Sequence, residues 1–327
     1  MTPDTQAVAR REPSSDYFNS PGLSNSGLKD LAISPLRFWY LHLNPNRPIV
    51  EPTHEMHIGS AFHCAILEPD QFDQRYCRAL NPDDYPGLLT TAEDMRGWLK
   101  SKGLTPHGTR KEHYIDQIQR ADPNVPILEV LYAYYAAENV GKVIFGGDDW
   151  ERVQGMAGAL REEPNVAAIL QDGKAEVALT GTDPDTGVLL KGKLDWLAPT
   201  LTMDLKSFTQ KRGKSIARSI ADAIFWERYW IQSYFYALLR GWPKDFSGET
   251  VLAFAESEEP HEVRLRRLLP KAGGQPNLYW TRAALEVREL IRVYAECMEH
   301  FGVDKPWKYA QEISTLDDQE MKGIAFD

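Results

Sequence analysis

Two aspartates and a lysine stand close together in the segment GKLDWLAPTLTMDLKS, as Asp195, Asp204 and Lys206. The apolar residues around them alternate with polar ones, which predicts short β-strands at 189–194 and 201–205. The intervening Ala-Pro-Thr breaks the pattern, so the two strands are expected to form a hairpin. Carboxylates and an ammonium group on one hairpin are the side chains that metal-assisted phosphodiester hydrolysis requires.

The turn of this hairpin determines whether the three side chains meet. A turn symmetric about the Pro199–Thr200 bond would place Asp195 directly opposite Asp204, with Cβ atoms about 5 Å apart. Lys206 would share the face of Asp204, because side chains repeat every second residue. Carboxylates this close repel each other, and Mg²⁺ or Mn²⁺ between them would relieve the repulsion. A solvated surface hairpin is the alternative that the spacing leaves open.

A preceding strand, at 175–181, extends the sheet through the turn-rich sequence TDPDTG. The same symmetry argument places Glu176 opposite Lys193 and diagonal to Asp195. This position favours a role for Glu176 outside the metal ligands, as an outer-shell base, over a role as an additional ligand.

A histidine lies within an apolar segment further upstream. Residues 56–69, MHIGSAFHCAILEP, predict a buried helix that ends near Pro69. His63 in that helix is either an ordinary core residue or an imidazole that the small residues before it allow to approach the sheet as a metal ligand.

Four short motifs in this order resemble those of RecB-type nucleases in the PD-(D/E)XK superfamily. They are GSAFH at 59–63, LD at 194–195, DLK at 204–206 and QSYFY at 232–236. Three further segments resemble RecE-type (exodeoxyribonuclease VIII) nuclease domains: LSNSGLKDLAISPLRFWY at 23–40, LEP at 67–69 and PWKY at 306–309. The resemblance covers about residues 20 to 312.

The resemblance implies an α/β fold with a mixed central β-sheet flanked by helices. It implies His63, Asp195 and Asp204 as metal ligands and Lys206 as the catalytic lysine. Gln232 and Tyr236, four residues apart on one helix face, would reach the site or the DNA, although ordinary helix packing explains the same spacing.

The implied activity is a Mg²⁺-dependent exonuclease, with Mn²⁺ as a substitute, that digests linear double-stranded DNA from the 5′ end and leaves 3′ single strands. The resemblance also implies a ring-shaped homo-oligomer, a single-strand annealing protein as partner, and phage or prophage recombination in a bacterial cytoplasm. Two other functions remain open: an endonuclease that uses the same metal site, and a DNA-binding or assembly protein that has lost catalysis.

The composition is that of a globular protein. With 327 residues, 43% of them hydrophobic, the chain is expected to form one domain over 21–327 after a loose tail at 1–20. The net charge of −10 requires local positive groups for binding DNA, and the expected contacts are Arg37, Lys211, Arg212 and Lys214.

Cysteine usage and hydropathy limit the possible surroundings. The three cysteines show no paired spacing, which argues for a reducing compartment and against the four-cysteine iron–sulfur cluster of some related nucleases. The sequence has no apolar run long enough to predict a membrane span and no signal-peptide pattern.

One segment is predicted to form a small helical insertion. Residues 90–118 predict a capped helix, a stop at Gly103 and a second helix from about Thr109, which resembles a SAP-like helix-loop-helix. In that family the unit often binds DNA through basic residues at the start of the second helix, here Arg110 and Lys111. A packing or protein-contact module is the alternative.

Overall fold

A six-stranded mixed sheet forms the centre of the computed structural model, which describes residues 8–10, 17, 20–48, 51–242, 248–268 and 278–310. The strands are β1 (Val8–Arg10), β2 (Tyr76–Arg78), β3 (Val143–Phe145), β4 (Lys174–Thr182), β5 (Leu189–Leu197), β6 (Leu201–Phe208), β7 (Glu249–Glu256) and β8 (Val263–Arg267). Across the central sheet they run in the order β1, β4, β5, β6, β7, β8, while β2 and β3 pair separately. In the central sheet β6 and β7 are parallel and the other neighbours are antiparallel, so the predicted mixed sheet is confirmed.

Helices cover both faces of the sheet. They are α1 (Asn25–Ile33), α2 (Pro35–Phe38), α3 (His54–Leu67), α4 (Pro69–Arg75), α5 (Ala92–Ser101), α6 (Lys111–Ala121), α7 (Leu128–Glu138), α8 (Gly147–Glu162), α9 (Pro164–Ile169), α10 (Ile216–Trp226), α11 (Tyr229–Leu239) and α12 (Leu278–Phe301). A π-helical turn, Trp39–Leu43, continues α2, and a short 3₁₀ turn spans Pro82–Asp84.

Two hydrophobic cores follow from the alternation of side chains along the strands. The first core lies between the sheet and α1, α11 and α12, and it receives Leu194 and Leu252. The second core lies on the opposite face, under α3 and α8, and it receives Met203 and Leu205. Helix α11 is the most deeply placed of the covering helices, since each of residues 230–239 is buried.

The predicted helix around His63 is present as α3. The Thr53 side chain accepts a hydrogen bond from the Met56 N–H and caps its first turn. The helix ends before Pro69, as the sequence indicates, and its buried residues join the second core. This packing holds α3 against β5 and β6, where the candidate site lies.

The insertion at 90–118 contains the expected helix-loop-helix as α5 and α6. Thr91 and Asp94 form a reciprocal capping box at the start of α5. Leu99 and Ile118 of the insertion are fully buried in a third, small core that is separate from the two main cores. Of the two basic residues at the start of α6, Arg110 and Lys111, Lys111 already forms an ion pair with Glu129 of α7.

Part of the predicted N-terminal tail is structured. Val8–Arg10 pairs with β4 as an edge strand, and Tyr17 is buried. The rest of 1–19 lies outside the described residues. No helix in the described ranges has both the length and the hydrophobicity to cross a membrane.

Candidate functional site

The hairpin of β5 and β6 has the predicted register. Trp196 pairs with Met203 and Leu197 pairs with Thr202, so the turn is centred on the Pro199–Thr200 bond. The same register places Asp195 opposite Asp204, where the regular ladder stops. The Leu205 N–H donates instead to the Asp195 carboxylate, at 2.8 Å between N and Oδ2. From this point the two strands separate, which opens space between them for a site.

The predicted register of the preceding hairpin is wrong by two residues. Lys193 pairs with Ala178, and the register places Glu176 opposite Asp195. The shift arises in the turn, because the Asp183 N–H donates to the Val188 carbonyl and draws Val188 into the turn. Glu176 contacts Lys193 as a diagonal neighbour through an ion pair. Glu176, Asp195 and Asp204 therefore occupy one row across three strands.

The backbone of Glu176 is left-handed, with φ of +55°, and this reverses the side-chain alternation of the strand. Ala175 packs on the second core, whereas Val177, two residues later, packs in the first. Asp195, opposite Glu176, lies at a similar change, since Leu194 belongs to the first core and Trp196 packs on the second. The row of carboxylates thus lies where the side chains of β4 and β5 change the core that they face.

Three side chains at this break form a candidate metal centre. His63, Glu176 and Asp195 each offer a ligand atom, and these atoms lie within 4.8 Å of one another. His63 Nδ1 is 3.4 Å from Asp195 Oδ2. One imidazole nitrogen and two carboxylates are a donor set that suits a divalent metal ion. The predicted ligands His63 and Asp195 are therefore together, and Glu176, which the sequence placed further out, accompanies them.

The other predicted ligand, Asp204, lies outside that three-residue group and faces α11. Its Oδ1 accepts a hydrogen bond from Gln232 Nε2 at 2.7 Å, and its Oδ2 is 2.5 Å from Lys206 Nζ. This ion pair occupies the buried Oδ2, to which no other described residue donates a hydrogen bond. The ammonium group of Lys206 thus compensates the buried charge of Asp204.

Gln232 and Tyr236 connect this carboxylate to the strand beside it. Gln232 Nε2 lies 3.3 Å from the Tyr236 hydroxyl, which donates to the Lys193 carbonyl at 3.0 Å. The predicted pairing of these two residues on one helix face is present, and their partner is Asp204. Both side chains are buried, so they position the carboxylate and are not available to contact DNA in this arrangement.

Burial and mutual charge shift the pKa values of the site. Burial and the charge of Asp204 raise the pKa of Asp195 well above its usual range. Burial alone would lower the pKa of Lys206, but the charges of Asp204 and Asp195 outweigh it, and the pKa is raised. Burial and the charge of Lys206 lower the pKa of His63, which favours the neutral imidazole that binds metals.

A cleft of about 580 Å³ opens onto the metal group. Glu176, Lys193 and Asp195 line it from the sheet, and His63 lines it from α3. Arg75, also in the lining, is bound to Glu68 at 2.7 Å. The cleft opens the three side chains of the candidate metal centre to solvent.

The predicted DNA contacts differ in how far they are already engaged. Arg37 donates to Asp30 at 2.9 Å. Lys214 lies 2.6 Å from Asp222, while Lys211 and Arg212 are exposed in the turn that follows β6. Lys211 and Arg212 are thus the members of this predicted set that present charge to solvent without a carboxylate partner among the described residues.

Comparison with known proteins agrees with this geometry. Residues 24–308 match the family described as "PDDEXK-like domain of unknown function (DUF3799)". The chain belongs to this family. The PDDEXK-like assignment confirms the resemblance to the PD-(D/E)XK superfamily and covers every candidate site residue. No curated protein matches the chain.

The fold of this PDDEXK-like domain also occurs among solved structures. A protein from Eubacterium rectale described as a "putative exonuclease" aligns with a TM-score of 0.51 at 14% identity, over 97% of this chain and 99% of that one. SSO0001 aligns with a TM-score of 0.25 at 12% identity, over 72% of this chain and 86% of that one, which is too distant to inform the fold.

The sequence argument gave no role at the site to two residues that contact it. Lys193 neutralises Glu176, and the ring of Tyr229 lies under the ammonium of Lys206 at 4.7 Å from Nζ to the centroid. Tyr229 stands three and seven residues before Gln232 and Tyr236, so helical periodicity was the signal that could have revealed it.

Proposed function

We propose that this protein is a metal-dependent deoxyribonuclease that hydrolyses phosphodiester bonds of linear double-stranded DNA. The observation that carries the proposal is the convergence of His63, Glu176 and Asp195 beside the Lys206–Asp204 pair. A structural ion-pair cluster would not require a histidine nitrogen among carboxylates that face an open cleft. Membership of a PDDEXK-like family supports the same reading.

The side chains divide the chemistry between them. His63, Glu176 and Asp195 would hold Mg²⁺ or Mn²⁺, and Asp204 Oδ2 is a further candidate ligand. When bound, the ion would supply a Lewis acid that polarises the scissile phosphate and a more acidic water. Lys206 stays protonated because its pKa is raised, so it stabilises negative charge on the phosphate and does not act as a base. Gln232 and Tyr236 hold Asp204, which in turn holds Lys206.

The finer activity rests on the RecE-type resemblance. We propose digestion from the 5′ end that leaves 3′ single strands, in a ring-shaped homo-oligomer that works with a single-strand annealing protein in phage-type recombination in the bacterial cytoplasm. A strict requirement for a DNA end would support the exonuclease. Cleavage of closed circular DNA would favour the endonuclease instead.

The test compares linear duplexes labelled at either the 5′ or the 3′ end, in Mg²⁺, Ca²⁺ or no metal. Wild type is expected to digest them in Mg²⁺, and Lys206→Ala is expected to lose at least a hundredfold in rate, as when one charge-stabilising donor is removed. Lys142→Ala, in the turn before β3, removes the same charge away from the site and should match wild type. Normal digestion by folded Lys206→Ala would show that the site is assigned wrongly. DNA binding without any metal-dependent digestion by wild type would favour the non-catalytic protein.

A further inference from the structure

A second lysine shares the aromatic ring on which the site lysine rests. Lys206 Nζ lies 4.7 Å from the centroid of Tyr229, and Lys29 Nζ lies 5.5 Å from the same centroid. Lys29 belongs to α1, far from Lys206 in sequence, so the fold brings two ammonium groups to one ring. Attraction to the ring face holds each of them in place.

The position of Lys29 is fixed by its helix. The Leu23 N–H donates to the Leu189 carbonyl at 2.8 Å, which ties the start of this segment to β5. The Ser24 side chain then accepts from the Gly27 N–H at 3.2 Å and caps α1. Gly27 and Leu28 are buried, so the helix is anchored directly before Lys29. The backbone of Lys29 is therefore fixed, and its ammonium group lies over Tyr229.

Lys29 differs from the other lysines around the site in its partners. Lys206, Lys193 and Lys214 each contact a carboxylate. Lys29 forms no ion pair or hydrogen bond within the described part of the chain. Burial and the charge of Lys206 lower its pKa, and the charges of Glu227 and Asp204 oppose that effect only in part. A half-buried cation beside another cation is unfavourable unless an anion joins them.

We propose that Lys29 binds a phosphate of the substrate strand next to the phosphate that Lys206 and the metal ligands engage. The inference rests on the proposed nuclease function and adds a binding residue to it. An ammonium group on a flexible stem pairs with phosphate as a point charge. Because both ammonium groups lie over one ring, they are close enough together to engage neighbouring phosphates of one strand. Lys29 thus contributes to holding the strand in register with the site.

The test uses the full chain with Lys29→Ala, Lys29→Arg and the charge control Lys142→Ala. Lys29→Ala should raise KM for a linear duplex by about tenfold or more, the loss expected for one charged hydrogen bond, and leave kcat within about threefold. Binding in Ca²⁺ at increasing salt should lose about 0.9 from the slope of log affinity against log salt, the value for one duplex phosphate. Lys29→Arg should retain most of the affinity, and Lys142→Ala should match wild type.

Two results would overturn the inference. One is an unchanged KM and salt slope in Lys29→Ala. The other is a fall in kcat alone, which would mean that Lys29 positions Lys206 and does not bind the substrate strand. If Lys29→Ala unfolds, Lys29→Met keeps the stem over Tyr229 and answers the same question. An inactive wild type would refute the nuclease itself. If wild type is active but Lys29→Ala leaves both KM and the salt slope unchanged, this inference alone is refuted.

Discussion

The buried ion pair of Asp204 and Lys206 makes a quantitative prediction for Lys206→Met. The Asp204 side chain is 3% exposed and the Lys206 side chain 16%, and the two charges are 2.5 Å apart. Methionine keeps the stem over Tyr229 but removes the charge. Removing one partner of a buried pair costs about 3–5 kcal/mol, because the other charge is left buried without compensation. Gln232 alone would then support the carboxylate.

The expected shift in Tm follows from the size of the protein. An unfolding entropy of about 2.1 cal/mol/K per residue gives roughly 0.6–0.7 kcal/mol/K for a chain of this length. A loss of about 3–5 kcal/mol should then lower Tm by about 4–8 °C. The measurement is calorimetric or spectroscopic unfolding in chelator. Lys142→Met serves as the control and should shift Tm by less than about 1 °C.

The double variant Asp204→Asn/Lys206→Met completes the experiment. It removes both charges of the pair and should recover most of the lost Tm, since Asp204 is then no longer a buried charge without its partner. Adding Mg²⁺ to Lys206→Met should also restore stability if Asp204 Oδ2 becomes a ligand once the ammonium is gone. If Lys206→Met unfolds at the wild-type temperature in chelator, the pair is not energetically coupled and the reasoning about Asp204 fails.

Three further predictions concern the metal, the packing and the DNA. Glu176→Gln should abolish both digestion and the rise in Tm with Mg²⁺, which is about 4 °C at a hundredfold excess over Kd in wild type; an unchanged rise would exclude Glu176 as a ligand. Gly192→Ala should lower Tm by about 2–5 °C, because the new Cβ would lie 2.7 Å from Leu239 Cδ1 and 3.1 Å from the Tyr236 ring; wild-type Tm would show that α11 can move. Lys211→Ala should weaken DNA binding uniformly and reduce its salt slope by about 0.9, and an unchanged slope would exclude a phosphate contact.

The sequence was sufficient for the hairpin that carries the site. Alternation and the Ala-Pro-Thr break predicted its register, which the pairing of Trp196 with Met203 confirms. The apolar pattern around His63 predicted α3, and family membership confirms the superfamily that the motifs indicated. These features depend on local periodicity and short-range turn chemistry, which a sequence records directly.

The position of Glu176 could not be predicted in the same way. Its register depends on a hydrogen bond that draws Val188 into the preceding turn, and its side-chain direction depends on a left-handed backbone. Glutamate rarely adopts that conformation, so no residue preference indicates it. The place of Lys29 beside Tyr229 is a matter of tertiary packing between distant segments, for which a single sequence contains no periodic signal.

The separation of β5 from β6 divides the central sheet into two three-stranded halves. At the turn these halves are joined by two residue pairs and by the backbone bond from Ala198 to Leu201. Beyond the turn the Leu205 N–H donates to Asp195, and Gln232 and Tyr236 of α11 link Asp204 to the Lys193 carbonyl. Glu176 and Asp195 belong to one half, and Asp204 and Lys206 belong to the other. A small rotation at the 198–200 turn would therefore change the distance between the acids on one half of the sheet and the lysine on the other. We expect the mechanical stiffness of that turn, which contributes no reactive group, to determine how precisely the acids and the lysine are positioned relative to each other.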